Sequence, residues 1–147
     1  MRRVIEAVLL LGVIFPLAAQ SQDKSAERLV RQYLQARSQT MQESATSRDI
    51  DTALSFCTEG FVYEHPSVGA RIEGKEKSRL GMSGYLGQTK DPTYKIQILA
   101  SNPHVVVARV DQQFFVKQEE GSWNPGKRSN ITVFEIEGGK INRILDY

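Results

Sequence analysis

The 147-residue sequence has a single cysteine, Cys57, which excludes an intramolecular disulfide. No Cys/His cluster has the spacing of a zinc site, and no glycine-rich loop has the form of a phosphate cradle. Beyond the first 21 residues, no charge-free apolar run reaches the roughly 18 residues that a membrane-crossing helix requires. Neither sign of charge dominates. The 19 basic and 17 acidic residues leave +2, too little for a nucleic-acid footprint, and no basic stripe carries interleaved aromatics. Internal repeats and low-complexity segments are missing as well. No cofactor and no metal is expected. What is present, 40% hydrophobic and 24% charged residues, is the composition of one globular domain.

The N-terminus reads differently from the rest. Arg2 and Arg3 precede an uncharged run from Ala7 to Ala19, AVLLLGVIFPLAA, broken near its end by Pro16. The run is too short to span a bilayer and has the charged n-region and apolar h-region of a secretory leader. Cleavage after Ala19 or Ser21 fits. Residues 1–21 are therefore expected to be a signal peptide and 22–147 a single domain, secreted or periplasmic, with no stable membrane span after cleavage. A buried N-terminal helix or an uncut anchor is the alternative. In an oxidising compartment Cys57 reads as a small apolar core residue. A catalytic thiol is the sharper reading, but neither histidine, His65 or His104, is evidently placed to activate it.

Periodicity orders the body. Ala26, Leu29, Val30, Tyr33, Ala36 and Met41 recur near the helical period, predicting a helix over 25–45. Ser47 or Asp49 can cap a second, short helix with Ile50, Ala53, Leu54 and Cys57 on one face, ended by Glu59-Gly60. FVYEHP alternates as a strand up to Pro66. SVGARIEG reads as a loop. KEKSRLGMSGYLGQ reads as a third helix, whose Gly81, Gly84 and Gly87 are expected to pack closely on a sheet, a loose helix being the alternative. Four strands follow: TYKIQILA, a long one over 104–118, RSNITVFEIE and KINRILDY, the last two joined by a Gly138-Gly139 hairpin. Helices first and strands after argue an α+β fold, a curved antiparallel sheet with helices on one face and a hollow between them for a small ligand.

Alternation also sorts candidate site residues. Phe61, Tyr63 and His65 share one face of their strand, as do Asn130, Thr132 and Phe134, and as do Asn142, Ile144 and Asp146. Arg109, Asp111 and Gln113 form either a solvated or dimer-facing outer row or a polar patch inside the hollow. Phe114, Phe115 and Val116 offer apolar surface for a second copy. Trp123 lies in the loop GSWNPG, as an anchor or a partner surface. His104 reads as surface. Asn130-Ile131-Thr132 matches a glycosylation sequon but falls within a strand and is taken as chance.

Two segments, SRDIDTALSFCTEGFVYEHPSVGARIEGKEKSRL and ITVFEIEGGKINRILDY, in this order of elements, resemble the nuclear transport factor 2-like superfamily. The similarity runs over about residues 25–147 and is to the SnoaL-like (polyketide-cyclase-type) and ketosteroid-isomerase-like branch. The resemblance implies a cone-like half barrel, a curved antiparallel sheet covered by three N-terminal helices, and a homodimer through the sheet face. His65 precedes Pro66 where ketosteroid-isomerase-like members have an aspartate base before proline. Tyr33 falls where those enzymes carry an oxyanion-donating tyrosine, and Asp146 where related sequences carry a pocket acid, able to orient His65. Those enzymes place an aspartic acid on the strand before the last hairpin. Here Asn130, Ile131 and Thr132 stand there, so steroid isomerisation is not the expected reaction.

The resulting expectation is an exported domain whose apolar cup takes a small apolar or mixed-polarity molecule. It would act as a proton-transfer enzyme of isomerase, lyase or hydrolase type. His65, Tyr33 and Asp146 would be catalytic, with Tyr63, Phe61, Asn130, Thr132 and Phe134 lining the ligand. A non-catalytic homodimeric binding or assembly domain of the cell envelope is the alternative.

Overall fold

A computed structural model describes residues 17–147, with side chains from Lys24 onward. The expected leader lies outside the described residues except for 17–21, whose backbone forms the start of the first helix. That helix, α1, runs Leu17–Gln39 and buries Ala26, Val30, Tyr33 and Leu34. It stops six residues short of the expected end. Thr40 folds back, its hydroxyl donating to the Arg37 carbonyl at 2.8 Å, and tight turns at Met41 and Gln42 replace the helical ladder. Helix α2, Ser47–Leu54, is capped by Thr46 rather than by Ser47 or Asp49. The Thr46 N–H and hydroxyl both donate to the Asp49 carboxylate, at 2.8 and 2.9 Å. Cys57 belongs not to this helix but to the first strand, where it is fully buried.

Strand β1 is Cys57–His65 and β2 is Ala70–Glu73. The segment expected as a loop pairs back on β1, with His65 opposite Ala70, through a turn in which Gly69 takes φ 66°. Helix α3 covers only Lys75–Ser83, and 84–87 form turns. Its glycines do not seat it tightly. A Cβ on Gly81 would meet only the Ile72 Cδ1, at 3.8 Å, and Ser78 is the one buried residue of the helix. The close packing expected of this helix is absent.

Three long strands follow: β3 Thr89–Ser101, β4 Val105–Lys117 and β5 Trp123–Glu137. The last strand, β6, is Lys140–Asp146 and joins β5 through Gly138-Gly139, both at positive φ. Trp123 therefore opens a strand, opposite Lys117, rather than sitting in a loop. Its ring lies under the Lys90 ammonium at 4.6 Å.

The six strands form one sheet in the order β2-β1-β6-β5-β4-β3. All neighbours are antiparallel except β1 and β6, so the sheet is mixed, not antiparallel throughout. The parallel pair arises because β6 returns beside β1 only after the rest of the domain has crossed over. The sheet is not closed, and β2 and β3 are its edges. Bulges in β1, β3 and β6 bend it. Helix α1 lies over β3 and β4, α3 against β1 and β2, and α2 between the two helices. The core joins the α1 stripe to Val106, Ala108, Val110, Phe134, Ile141 and Ile144. Among the described residues no helix is long and apolar enough to cross a membrane.

Candidate functional site

Where α1 and α3 lift away from the sheet, a cavity of about 540 Å³ opens, within the range of roughly 300–1,000 Å³ usual for small-molecule sites. Its wall is mainly apolar, with Phe61, Ile72, Phe114, Phe134 and Ile144 from the sheet and Leu34 from α1. Polar groups share this wall, several of them placed by strand register.

Asp146, on β6, stands opposite Thr132 on β5. The Thr132 hydroxyl donates to Asp146 Oδ1 at 2.7 Å. The Tyr63 phenol, from β1, donates to Oδ2 at a longer 3.3 Å. The carboxylate is thus held by two neutral donors, with acceptor capacity left on Oδ2. Burial, reinforced by the Asp146 charge and its hydrogen bond, pushes the Tyr63 phenol up to about 12. It stays a donor across the physiological range.

Tyr33 reaches the same cavity from α1. It is 7% exposed and packs edge-to-face on Phe134, with ring centroids 6.2 Å apart and planes at 70°. Among the described residues its hydroxyl has no hydrogen-bond partner. Burial holds its phenol far above the ordinary tyrosine range. Tyr94, on β3, is also pushed up by burial, and its hydroxyl donates to the Met41 sulfur at 3.1 Å.

Tyr33, Asp146, Tyr63, Phe61, Thr132, Phe134 and His65 all line the cavity. Two expectations fail in detail. His65 is at the end of β1, where its Nδ1 meets the Ser67 hydroxyl at 3.0 Å. Asp146 spends its hydrogen bonds on Thr132 and Tyr63, so it does not orient His65. Asn130 shares the inner face of β5 yet is not on the cavity wall. It is buried under its neighbours, with Nδ2 lacking a partner. Alternation also splits the apolar triplet at the end of β4. Phe114 and Val116 line the cavity, and only Phe115 faces outward, 38% exposed. On that outer face Arg109 pairs with Asp111 at 3.2 Å, which settles that row as outside the hollow.

Among the polar wall residues that escaped the sequence reading are Arg37, Tyr94, Gln112 and Arg128. Arg128 continues the Phe134–Thr132–Asn130 alternation by one more step. It stands opposite Gln112, which in turn stands opposite Tyr94. The alternating signal was present, but the strand was expected to matter only from Asn130 onward. Among the described residues no three His, Cys, Asp or Glu side chains are grouped to hold a metal.

The sequence profile of the SnoaL-like domain matches residues 30–144. Among solved structures, the chain is similar to a candidate polyketide cyclase from Xanthomonas campestris pv. campestris. The TM-score is 0.67 at 19% identity, covering 86% of this chain and 91% of that one. It is also similar to an LEH-like epoxide hydrolase of M. tuberculosis, with TM-score 0.66, 21% identity, and coverage of 86% and 84%. A phenazine biosynthesis-related protein from Pseudomonas aeruginosa gives TM-score 0.65 at 15% identity, with coverage of 93% and 82%. A search of curated proteins finds no match. At these identities the likeness establishes the fold and leaves the chemistry to the site.

Proposed function

Because the chain belongs to the SnoaL-like domain family, within the nuclear transport factor 2-like superfamily, we propose that its cavity binds a small carbonyl compound and moves a proton on it. We read the sheet and helices as that superfamily's cone-like half barrel, with the cavity as the cup. The observation that carries the reading is Asp146: an acceptor fixed by Thr132 and Tyr63 on the cavity wall. Asp146 takes the proton from the carbon beside the carbonyl. The C–H electron pair moves into the carbon–carbon bond, and the carbonyl π pair moves onto oxygen. The Tyr33 hydroxyl, which has no partner among the described residues, donates to that developing oxyanion. The acid form of Asp146 then returns the proton at the same or a neighbouring carbon. His65 stands at the rim and assists entry or a later transfer.

The test is exchange of the α-hydrogens of a panel of cyclic and aryl ketones in D₂O, followed by NMR. The chain should accelerate exchange for at least one of them. Asp146→Asn should lower that rate by about 100-fold or more, and Tyr33→Phe by about 10-fold. A His65→Ala chain that loses the activity while Asp146→Asn keeps it would reverse the roles.

The expected export belongs to this proposal too: residues 1–21 direct secretion and the domain works outside the cytoplasm. The mass of the chain recovered from the periplasm or medium checks it. A second reading, a homodimer through the outer sheet face, draws on Leu99, Phe115 and Ile131, which are exposed there. Sedimentation at micromolar concentration distinguishes it, since a clean monomer removes it.

A further inference from the structure

Four arginines lie on the strands: Arg71, Arg109, Arg128 and Arg143. Three have a carboxylate. Arg71 pairs with Glu64 and Glu73, Arg109 with Asp111, and Arg143 with Glu64 and Glu135. Arg128 alone has none among the described residues, and it alone lines the cavity. A second guanidinium, Arg37 at the end of α1, lines the same cavity. Its only side-chain hydrogen bond among the described residues goes to the Thr40 hydroxyl. Both guanidiniums lie near enough to Tyr63 and Tyr94 to pull those phenols back down against the effect of burial. The fixed charges on the wall are therefore two cations against one anion, and that anion, Asp146, is engaged by Thr132 and Tyr63. Gln112, beside Arg128 in register, adds an amide to the cationic end. Arg128 is exposed and Arg37 half-buried, and both border the same cavity; with the other three strand arginines matched to carboxylates, these two give it an unmatched positive charge.

We propose that the ligand carries a carboxylate, bound at the open end by Arg128 and Arg37, on an apolar body that reaches toward Asp146. The inference rests on the small-molecule reading above and names the class of that molecule. Register sets its length. Arg128 and Thr132 are four residues apart on one strand, so their backbones are about 13 Å apart. A short-chain or aryl-alkyl carboxylic acid bearing a carbonyl spans that gap. A dianionic phosphate is the poorer fit, since Asp146 shares the cavity and repels the added charge.

The test is isothermal titration of the full chain with 4-phenylbutyrate and with its neutral primary amide, at low and moderate salt. The carboxylate should bind at least ten times tighter than the amide, and the preference should shrink with salt. Arg128→Gln should cut carboxylate affinity about tenfold and leave the amide within twofold, with an unchanged thermal midpoint. Arg109→Gln, on the outer face, should change neither. Amide binding as tight as carboxylate binding, or a preference that survives both Arg128→Gln and Arg37→Gln, would overturn this inference while the small-molecule reading stands. Failure of both probes to bind at millimolar concentration removes the small-molecule reading, and this inference with it.

Discussion

The two ends of the long strands behave as different materials. Toward the β5–β6 hairpin, the inner-facing residues Val106, Ala108 and Val110 of β4 and Thr132 and Phe134 of β5 are buried against α1 and the rest of the sheet. Toward the other end the same alternation brings Gln112, Phe114 and Val116, with Gly126 and Arg128 opposite, and none of these is fully covered. With 13 residues in β4 and 15 in β5, the strands outrun the helices that cover them. One end is core that also meets the cavity at Val110, Thr132 and Phe134, and the other is cavity wall alone. Inward-facing apolar residues are therefore not evidence of core by themselves. What covers them decides.

Truncation should separate the ends most sharply. Phe134→Ala, at 0% exposure and under the Tyr33 ring, should lose about 3–5 kcal/mol in urea unfolding. Phe114→Ala should lose roughly 1–2 kcal/mol, because its ring is already half in the cavity. Equal losses would show that the open end is as tightly packed as the closed one.

Alkaline pH offers a second, smaller contrast. Burial pushes the Cys57 thiol up to about 12 from 9.0, and the Tyr63 phenol to about 12 from 10.0. Both groups are held neutral by the fold. Their contribution is complete below pH 9 and declines as pH rises toward 12, because the unfolded chain ionises first. The urea midpoint should therefore fall from about pH 9 upward, and less steeply in Tyr63→Phe. In the native state at pH 8, Cys57 should react with a thiol reagent only as fast as the chain unfolds. Rapid labelling would show that the packed end opens on its own.

The smallest effect is expected at Gly126. A Cβ there would stand 2.8 Å from the Phe114 ring. Because that ring borders the cavity it has room to swing, so Gly126→Ala should cost about 1 kcal/mol. The same change should alter binding of 4-phenylbutyrate more than it alters stability. The reverse result would mean that the ring has no room to move.

Much of this was legible from residue order. The stripe on α1, the alternation of β1 and β5, and the Gly138-Gly139 turn gave most of the elements and a minority of the wall residues. Other features were not legible, each for a local reason. The pairing of 70–73 on β1 depends on a partner strand, not on its own short ARIE run. The early end of α3 depends on how little of it finds a surface to cover. Arg128 carried the right parity but a charge that ordinarily marks a solvated face.

By itself the sequence determined the local periods, the turns and the face on which each side chain lies, because those follow from backbone geometry one residue at a time. Only the tertiary structure decided that Asp146 meets Thr132 and Tyr63 rather than His65, and that Arg37 and Arg128 share one hollow. Those contacts join residues 14 to 91 positions apart. They are set by strand order, register and the reach of the covering helices, which no local pattern encodes.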